Sequence, residues 1–177
     1  MKRTPFSRWP CSVARTVDIL GDWWTPLVLR EAFYGVCRFD EFQRSLDISR
    51  NVLTQRLGRL VDEGLLEKEQ YSDHPVRFEY QPTEMGRDLW PVLAAMAAWG
   101  DRWLDRGKGA PVALHHASCD HATTAIVVCS HCREPLELVQ VTSSLGPGYP
   151  DRLRETALAT GRFDVDDSHP GKARPKS

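Results

Sequence analysis

The stretch Ser49-Arg50-Asn51-Val52-Leu53-Thr54-Gln55-Arg56-Leu57-Gly58-Arg59-Leu60-Val61-Asp62-Glu63-Gly64 decides how the rest of the chain is read. Leu53, Leu57, Leu60 and Val61 recur at helical spacing and form one apolar stripe. Ser49 in front can accept a backbone N–H of the first turn, and Gly64 behind can enter the left-handed conformation that a side chain resists. At about 100° per residue, Asn51, Thr54, Gln55, Gly58 and Arg59 fall on or near the opposite face, with Arg50 and Arg56 at its flanks. No acidic residue lies between Asp47 and Asp62, so Arg50, Arg56 and Arg59 make a small positive island. The amides of Asn51 and Gln55 match the paired donor and acceptor of an adenine edge, Arg59 suits guanine or phosphate, and Thr54 serves base or backbone. Each of these residues alone is equally an ordinary solvated helix residue, and it is their combination that points to DNA. Gly58 on the exposed side costs on the order of 1 kcal/mol relative to Ala, which fits either close approach to DNA or simple tolerance.

Upstream, Phe39, Phe42 and Leu46 predict a short helix that stops near Asp47 and Ile48. Before it, Thr25 followed by Pro26 reads as an N-cap with proline at the first helical position, and Leu27, Val28, Ala32 and Phe33 supply a buried face before Gly35. Residues 12–20 place Val13, Val17 and Leu20 at helical spacing behind Ser12 and ahead of Gly21. Downstream, residues 65–71 and 77–81 read as two strands, joined by Ser72-Asp73-His74-Pro75, with Arg77 and Glu79 opposite Phe78 and Tyr80. Thr83 is placed to cap a long apolar helix, through Leu89, Trp90, Val92, Leu93, Met96 and Trp103 to about Arg106, which Pro91 should kink. The last three of these four helices, followed by the hairpin, form a winged helix-turn-helix, in which the third helix braces the fourth so that its polar side enters a major groove. In the hairpin, Lys68, His74 and above all Arg77 are candidates for phosphate or minor-groove contact, although exposed charges on a turn are often simply solvated.

Composition narrows the class. With 177 residues, 41% apolar and 27% charged, the chain suits one buried domain with appendages. A net charge of −1 leaves no overall basic field, so nucleic-acid binding has to come from a local patch. The apolar runs are short and no hydrophobic segment follows Met1, which predicts a cytoplasmic protein with no membrane association. Five cysteines, three of them between 119 and 132, suit reduced thiols or a metal site better than a disulfide framework.

Taken in order, several motifs resemble one family. Cys11-Ser12-Val13-Ala14, Gly21-Asp22-Trp23-Trp24-Thr25, Phe39-Asp40-Glu41-Phe42, Asn51 through Leu57, and Glu63-Gly64-Leu65 are followed by Arg77-Phe78-Glu79-Tyr80, Thr83-Glu84-Met85-Gly86 and Leu89-Trp90-Pro91. Residues 11–103 so resemble the HxlR-type (MarR-like) winged-helix transcriptional regulators. The resemblance implies a homodimer in which the N-terminal helix and the long last helix of each subunit pack together. Trp99 and Trp103 at i, i+4, with Leu93 and Met96, agree independently, since they offer more apolar surface than a small winged helix needs to bury. Such a dimer reads a pseudo-palindromic operator with half-sites roughly 34 Å apart. Family members repress or activate nearby genes, and repression is the expectation adopted for this chain. The resemblance also makes Cys11 a candidate sensor of oxidants or electrophiles, its thiolate favoured by Arg8, Arg15 and the helix start. The other reading of Cys11 is a small apolar residue in the dimer interface, and Cys37 beside Arg38 reads as structural. Ser12 stands where the family usually has proline, and Trp23 where it more often has a polar or basic residue.

Beyond the linker Gly107-Lys108-Gly109-Ala110-Pro111 lies a small unit with a β-branched run at 125–128. His116-Ala117-Ser118-Cys119 and Cys129-Ser130-His131-Cys132 pair donors at the spacing of a zinc ribbon with one cysteine replaced by histidine. Zn²⁺ held there would supply stability that so few apolar residues cannot, with His115, His121 and His131 as alternate nitrogen donors. Arg133 takes the place of the glycine usual after such a pair, and a metal-free hairpin with incidental thiols is the other reading.

Catalytic readings fail on specific residues. His121 is followed by Ala and Thr and Cys129 lacks a preceding proline, against the zinc-deaminase pattern. No βαβ setting surrounds Cys129 and Cys132, and no phosphate loop or serine elbow appears. The sequence therefore predicts a mainly α (α+β) protein. Residues 1–107 form the winged helix and dimerisation helix, 108–148 a zinc-ribbon-like extension, and 149–177 a flexible tail with a short helix over 152–159. Its expected partners are double-stranded DNA, a second copy of itself and an unidentified small effector. A winged helix serving only protein contact, through the Cys/His unit, is the alternative.

Overall fold

The computed structural model describes residue 6, residues 8–161 and residue 163. The elements are α1 (Ser12–Leu20), α2 (Thr25–Phe33), α3 (Phe39–Leu46), α4 (Arg50–Asp62), β1 (Leu66–Asp73), β2 (Val76–Pro82), α5 (Glu84–Arg87), α6 (Trp90–Leu104), β3 (Leu114–His116), β4 (His121–Thr123), a 3-10 turn at Leu138–Gln140, and α7 (Asp151–Ala159). The protein is mainly α with two small antiparallel sheets, β1–β2 and β3–β4. Residues 13–125 belong to one compact unit, and residues 8–12 together with the chain from 126 onward to a second. Among the described residues no helix is long and apolar enough to cross a membrane. The last dozen residues, expected to be disordered, lie outside the described ones.

The first unit is built around the stripe that the sequence marks. Leu53, Leu57 and Leu60 of α4 pack with Val28, Leu29 and Ala32 of α2, Phe42 of α3, and Ile48, Leu65, Leu66 and Leu93. Val28, Leu29, Phe42 and Leu53 are wholly removed from solvent, each a burial worth about 1.5–3 kcal/mol. Ser49 caps α4 by accepting from the N–H of Val52 at 3.4 Å, and Gly64 past its end has φ +75°. In β1–β2 the register runs from Leu66 opposite Pro82 to Asp73 opposite Val76, with an irregularity between Gln70 and Ser72. The strands thus extend beyond the expected ends and leave His74-Pro75 as a tight tip.

Two expectations are corrected. Thr25 does not cap α2: it is buried, and its hydroxyl donates to Asp22. Asp22 does the capping, because Oδ1 accepts from the N–H groups of Trp24 (2.9 Å) and Thr25 (3.0 Å), satisfying donors that the helix start leaves unpaired. The long apolar helix is two helices. Thr83 caps α5 through the N–H of Gly86 (3.0 Å), and α6 starts afresh with Pro91 in its first turn, where a missing N–H does no harm. Gly86 is required by the close approach at that joint, since a Cβ there would lie 2.1 Å from the Leu65 carbonyl oxygen. The β-branched run at 125–128 forms no strand of its own. Only Val128 bridges, to Pro135, and the strands of the extension lie earlier, at Leu114–His116 and His121–Thr123.

In the second unit the Val128–Pro135 bridge is flanked by Cys129 N–H to Glu134 O (2.8 Å) and Leu136 N–H to Val127 O (2.9 Å). α7 is present, with Ala157 buried.

Candidate nucleic-acid interface

The outer face of α4 is open. Asn51, Thr54, Gln55 and Gly58 are all exposed, and apart from its chain neighbours and the local backbone of α4 itself no described atom comes within 4 Å of where a Cβ on Gly58 would stand. Thr54 spends its proton on the Arg50 carbonyl (2.8 Å), leaving its oxygen free to accept. Among the described residues no ion pair or side-chain hydrogen bond occupies Asn51 or Gln55, so both amides keep full donor and acceptor capacity toward a further partner.

The three arginines of the predicted island part company. Arg50 stays outward, its guanidinium 3.8 Å from Asp40 and 5.3 Å from the centre of the Phe39 ring. Arg56 turns inward, with Nε 2.9 Å from the Asp22 cap but out of line for a hydrogen bond, and so ties α4 to the start of α2. Burial pushes the Asp22 carboxyl up. The hydroxyl and N–H of Thr25, the N–H of Trp24 and the charge of Arg56 outweigh that, and its pKa falls below the ordinary carboxylate value. Arg59, expected on the DNA face, instead donates to the Asp18 carbonyl of α1 at 2.6 Å and lies 3.8 Å from Glu63. Its physical role in this geometry is to join α1 to α4, because a charge-assisted bond to a carbonyl at that distance holds the side chain away from the outward set.

A groove of about 510 Å³ collects Arg38 from the residue before α3, Arg44 from α3, Arg50 from α4 and Arg77 from the wing, with Asp40, Glu41 and Tyr71 in its wall. Arg50 and Arg77, both predicted, meet here. Arg44 and Arg38 were not predicted. Arg44 is exposed on α3 beside Phe42, and the signal for it is the outer face of α3 continued onto the start of α4. Arg38 is a clamp rather than a free cation: Nε donates to Glu79 at 2.9 Å, the guanidinium sits 4.8 Å over the Tyr71 ring, and its N–H is accepted by Glu41 at 3.2 Å. Lys68 is exposed on β1 but rests 3.8 Å over the Phe78 ring and does not line the groove. His74 is exposed near the wing tip. The arrangement offers amides for base edges on one helix, beside a groove whose arginines suit phosphates.

Residues 19–108 match the family model described as HxlR-like helix-turn-helix. The chain belongs to the HxlR-like family. An HTH-type transcriptional regulator of Mycobacterium tuberculosis is 42% identical over 142 residues, which span 80% of this chain and 90% of the relative. The solved transcription factor PA1607 has a TM-score of 0.68 and 33% identity, covering 76% of this chain and 94% of its own. A second transcription factor, from Pseudomonas aeruginosa, has a TM-score of 0.58 and 39% identity, covering 82% and 99%. This HxlR-like protein is a DNA-binding transcriptional regulator and not an enzyme.

The cysteines of the HxlR-like chain are all free. Cys11 is exposed. Burial pushes the Cys37 thiol up, and the carboxylates of Glu79 and Glu41 add to it, which disfavours the reactive thiolate. His116 and Cys119 close on one another in the first unit, Nδ1 to Sγ 3.2 Å. In the second unit, the N–H groups of Cys132 and His131 and the Cys132 thiol point at Cys129 and lower its pKa. Among the described residues no group of three or more His, Cys, Asp or Glu gathers to hold a metal ion.

Proposed function

We propose that the protein is a cytoplasmic repressor that binds a pseudo-palindromic operator as a homodimer, one α4 in each of two successive major grooves. The observation that carries this is the outer face of α4, where Asn51, Thr54 and Gln55 stand exposed beside the groove that Arg44, Arg50 and Arg77 share. Support for the second copy comes from apolar surface left uncovered on α1 and α6: Val13, Val17, Val92, Met96, Trp99 and Trp103 are all exposed. Tryptophans are among the residues that most often anchor such interfaces. Half-sites about 34 Å apart would set two α4 helices on one side of the duplex, where the bound dimer would obstruct polymerase.

The test is a gel-shift titration against the chain's own upstream region over a range of salt. Specific binding is expected. Arg77→Ala should weaken it evenly across sequences and lower the salt slope by about one unit, whereas Gln55→Ala should relax preference at one base pair. Absent or salt-insensitive binding would favour a winged helix used for protein contact.

Cys11, exposed at the start of α1, is proposed to sense oxidants or electrophiles, and DNA release on diamide treatment that persists in Cys11→Ser would remove it. Zn²⁺ is proposed on the spacing of His116, Cys119, Cys129 and Cys132 along the chain, together with the N–H groups trained on Cys129. Metal analysis of freshly purified protein should return close to one equivalent, and less than about 0.2 equivalents would contradict it.

A further inference from the structure

A second concavity, well away from the α4 face, lies within the first unit. It is an open cleft of about 650 Å³ between α2, α6 and the chain that leads into and out of the β3–β4 hairpin. Its existence follows from the sequence of α6. Ala94, Ala97, Ala98 and Gly100 leave room between the larger Trp90, Leu93 and Met96 of that helix, opposite Pro26 and Leu27 of α2 and Tyr34 just past its end. The third wall is made by residues 110–114 and 122–125. Volumes of this size, mainly apolar with a few polar groups, are characteristic of sites for drug-sized ligands.

The polar groups in the wall decide the charge of the ligand. Arg30 is already spoken for: Nε and the terminal nitrogen both donate to Oε1 of Glu31, at 2.9 and 2.6 Å, and Glu31 is itself buried. Asp101, half-buried in the last turns of α6, has no such partner among the described residues and lines the cleft with its charge uncompensated by them. Tyr34 is exposed at the rim and Trp90 lines the floor, its ring set edge-on to Phe33 at 5.5 Å. Aromatic faces attract cations, and an unpaired carboxylate in an apolar wall does so more strongly. An anion would meet Asp101 with no unpaired cation among the described lining residues to offset it.

We propose that this cleft is an effector site for a lipophilic cation, whose aromatic or aliphatic body fills the space against Ala94, Ala97 and Tyr34 and whose charge lies on Asp101. The consequence for DNA rests on the function proposed above. α2 carries the cleft on one side, while on the other its Val28 and Leu29 pack against the leucines of α4. A ligand that wedges α2 from α6 would therefore bias the position of α4, which binds operator only in one of the two arrangements.

The test uses the full-length protein and two probes of nearly the same shape and opposite charge, tetraphenylphosphonium and tetraphenylborate. Calorimetric titration should show saturable binding of the cation, one per chain, at least about tenfold tighter than the anion. Asp101→Asn, which keeps size and helix propensity, should erase that difference with no change in the unfolding midpoint. Equal binding of both ions, or a cation preference that survives in Asp101→Asn, would overturn the site. So would sedimentation showing that a second copy fills the cleft and excludes the cation. In parallel, saturating cation should weaken operator binding several-fold in the wild type and not in Asp101→Asn. Unchanged DNA affinity alongside good calorimetric binding would overturn the coupling alone. A protein that binds no DNA at all would sink the regulator reading, and the calorimetry would still decide the cleft.

Discussion

α4 and α6 both bury one stripe in the first unit and expose another, but the exposed stripes have opposite chemistry. On α4 the outer residues are Asn51, Thr54, Gln55 and Gly58, which water satisfies at no cost until DNA replaces it. On α6 they are Val92, Met96, Trp99 and Trp103, which water does not satisfy. Apolar surface left open in this way normally marks a place where another molecule sits. The two helices therefore stand for two kinds of partner, one recognised by hydrogen bonds and one by burial, held in a single frame by Leu93 of α6 in the same core as Leu53, Leu57 and Leu60 of α4.

That contrast can be broken from the inside first. Leu57→Ala, which empties the α4 side of the shared core, should cost about 2–5 kcal/mol in urea unfolding, the largest effect expected here. Changing the outer α6 stripe should behave differently. Trp99→Ser with Trp103→Ser should raise the dimer dissociation constant by a factor of roughly 30 or more in sedimentation experiments, equivalent to about 2 kcal/mol, with little change in the unfolding of the isolated chain. If the doubly substituted chain unfolds instead of dissociating, these tryptophans serve the chain's own fold and the contrast with α4 fails.

A third prediction tests the outer face of α4. Asn51→Ala should leave the unfolding midpoint within about 0.5 kcal/mol of wild type, as surface changes usually do. The same change should cost about 1–3 kcal/mol of discrimination at one base pair. The smallest effect concerns the Asp22 cap that links α2 to Arg56 of α4. Asp22→Asn should lose about 1 kcal/mol near neutral pH. Because the folded carboxyl titrates below its ordinary value of 3.8, the wild-type contribution is complete above that value and disappears as pH falls through the lower folded pKa. The variant should lack that part of the acid dependence, and an unchanged pH profile would show that the cap carries no charge-linked stability.

The sequence made the frame legible because its signals are local. Ser49, Gly64 and Thr83 each act within a few residues, and the leucine stripe of α4 repeats within one helix. What it did not show depends on partners far along the chain. A helical wheel sets Arg56 and Arg59 on or beside the polar face, but Asp22 and the Asp18 carbonyl, both brought in by α1 and the turn after it, claim them. Pro91 looks like a kink in one continuous apolar pattern until Gly86 is seen against the Leu65 carbonyl, which fixes a joint there. The arginine groove was only half visible, since Arg44 becomes relevant once α3 and the wing face each other. The cleft beside α6 was not visible at all: alanines and a glycine in a helix read as good or poor propensity, and only the neighbouring walls turn them into space.

The most direct measurement of the α4 account is a selection of bound fragments from random duplex DNA, run side by side with wild-type protein and Gln55→Ala. The wild type should yield a two-fold symmetric motif, and Gln55→Ala the same motif with preference lost at one position in each half, symmetrically placed. An identical motif from both proteins, or no enriched motif from either, would contradict the assignment of the exposed α4 amides to base recognition.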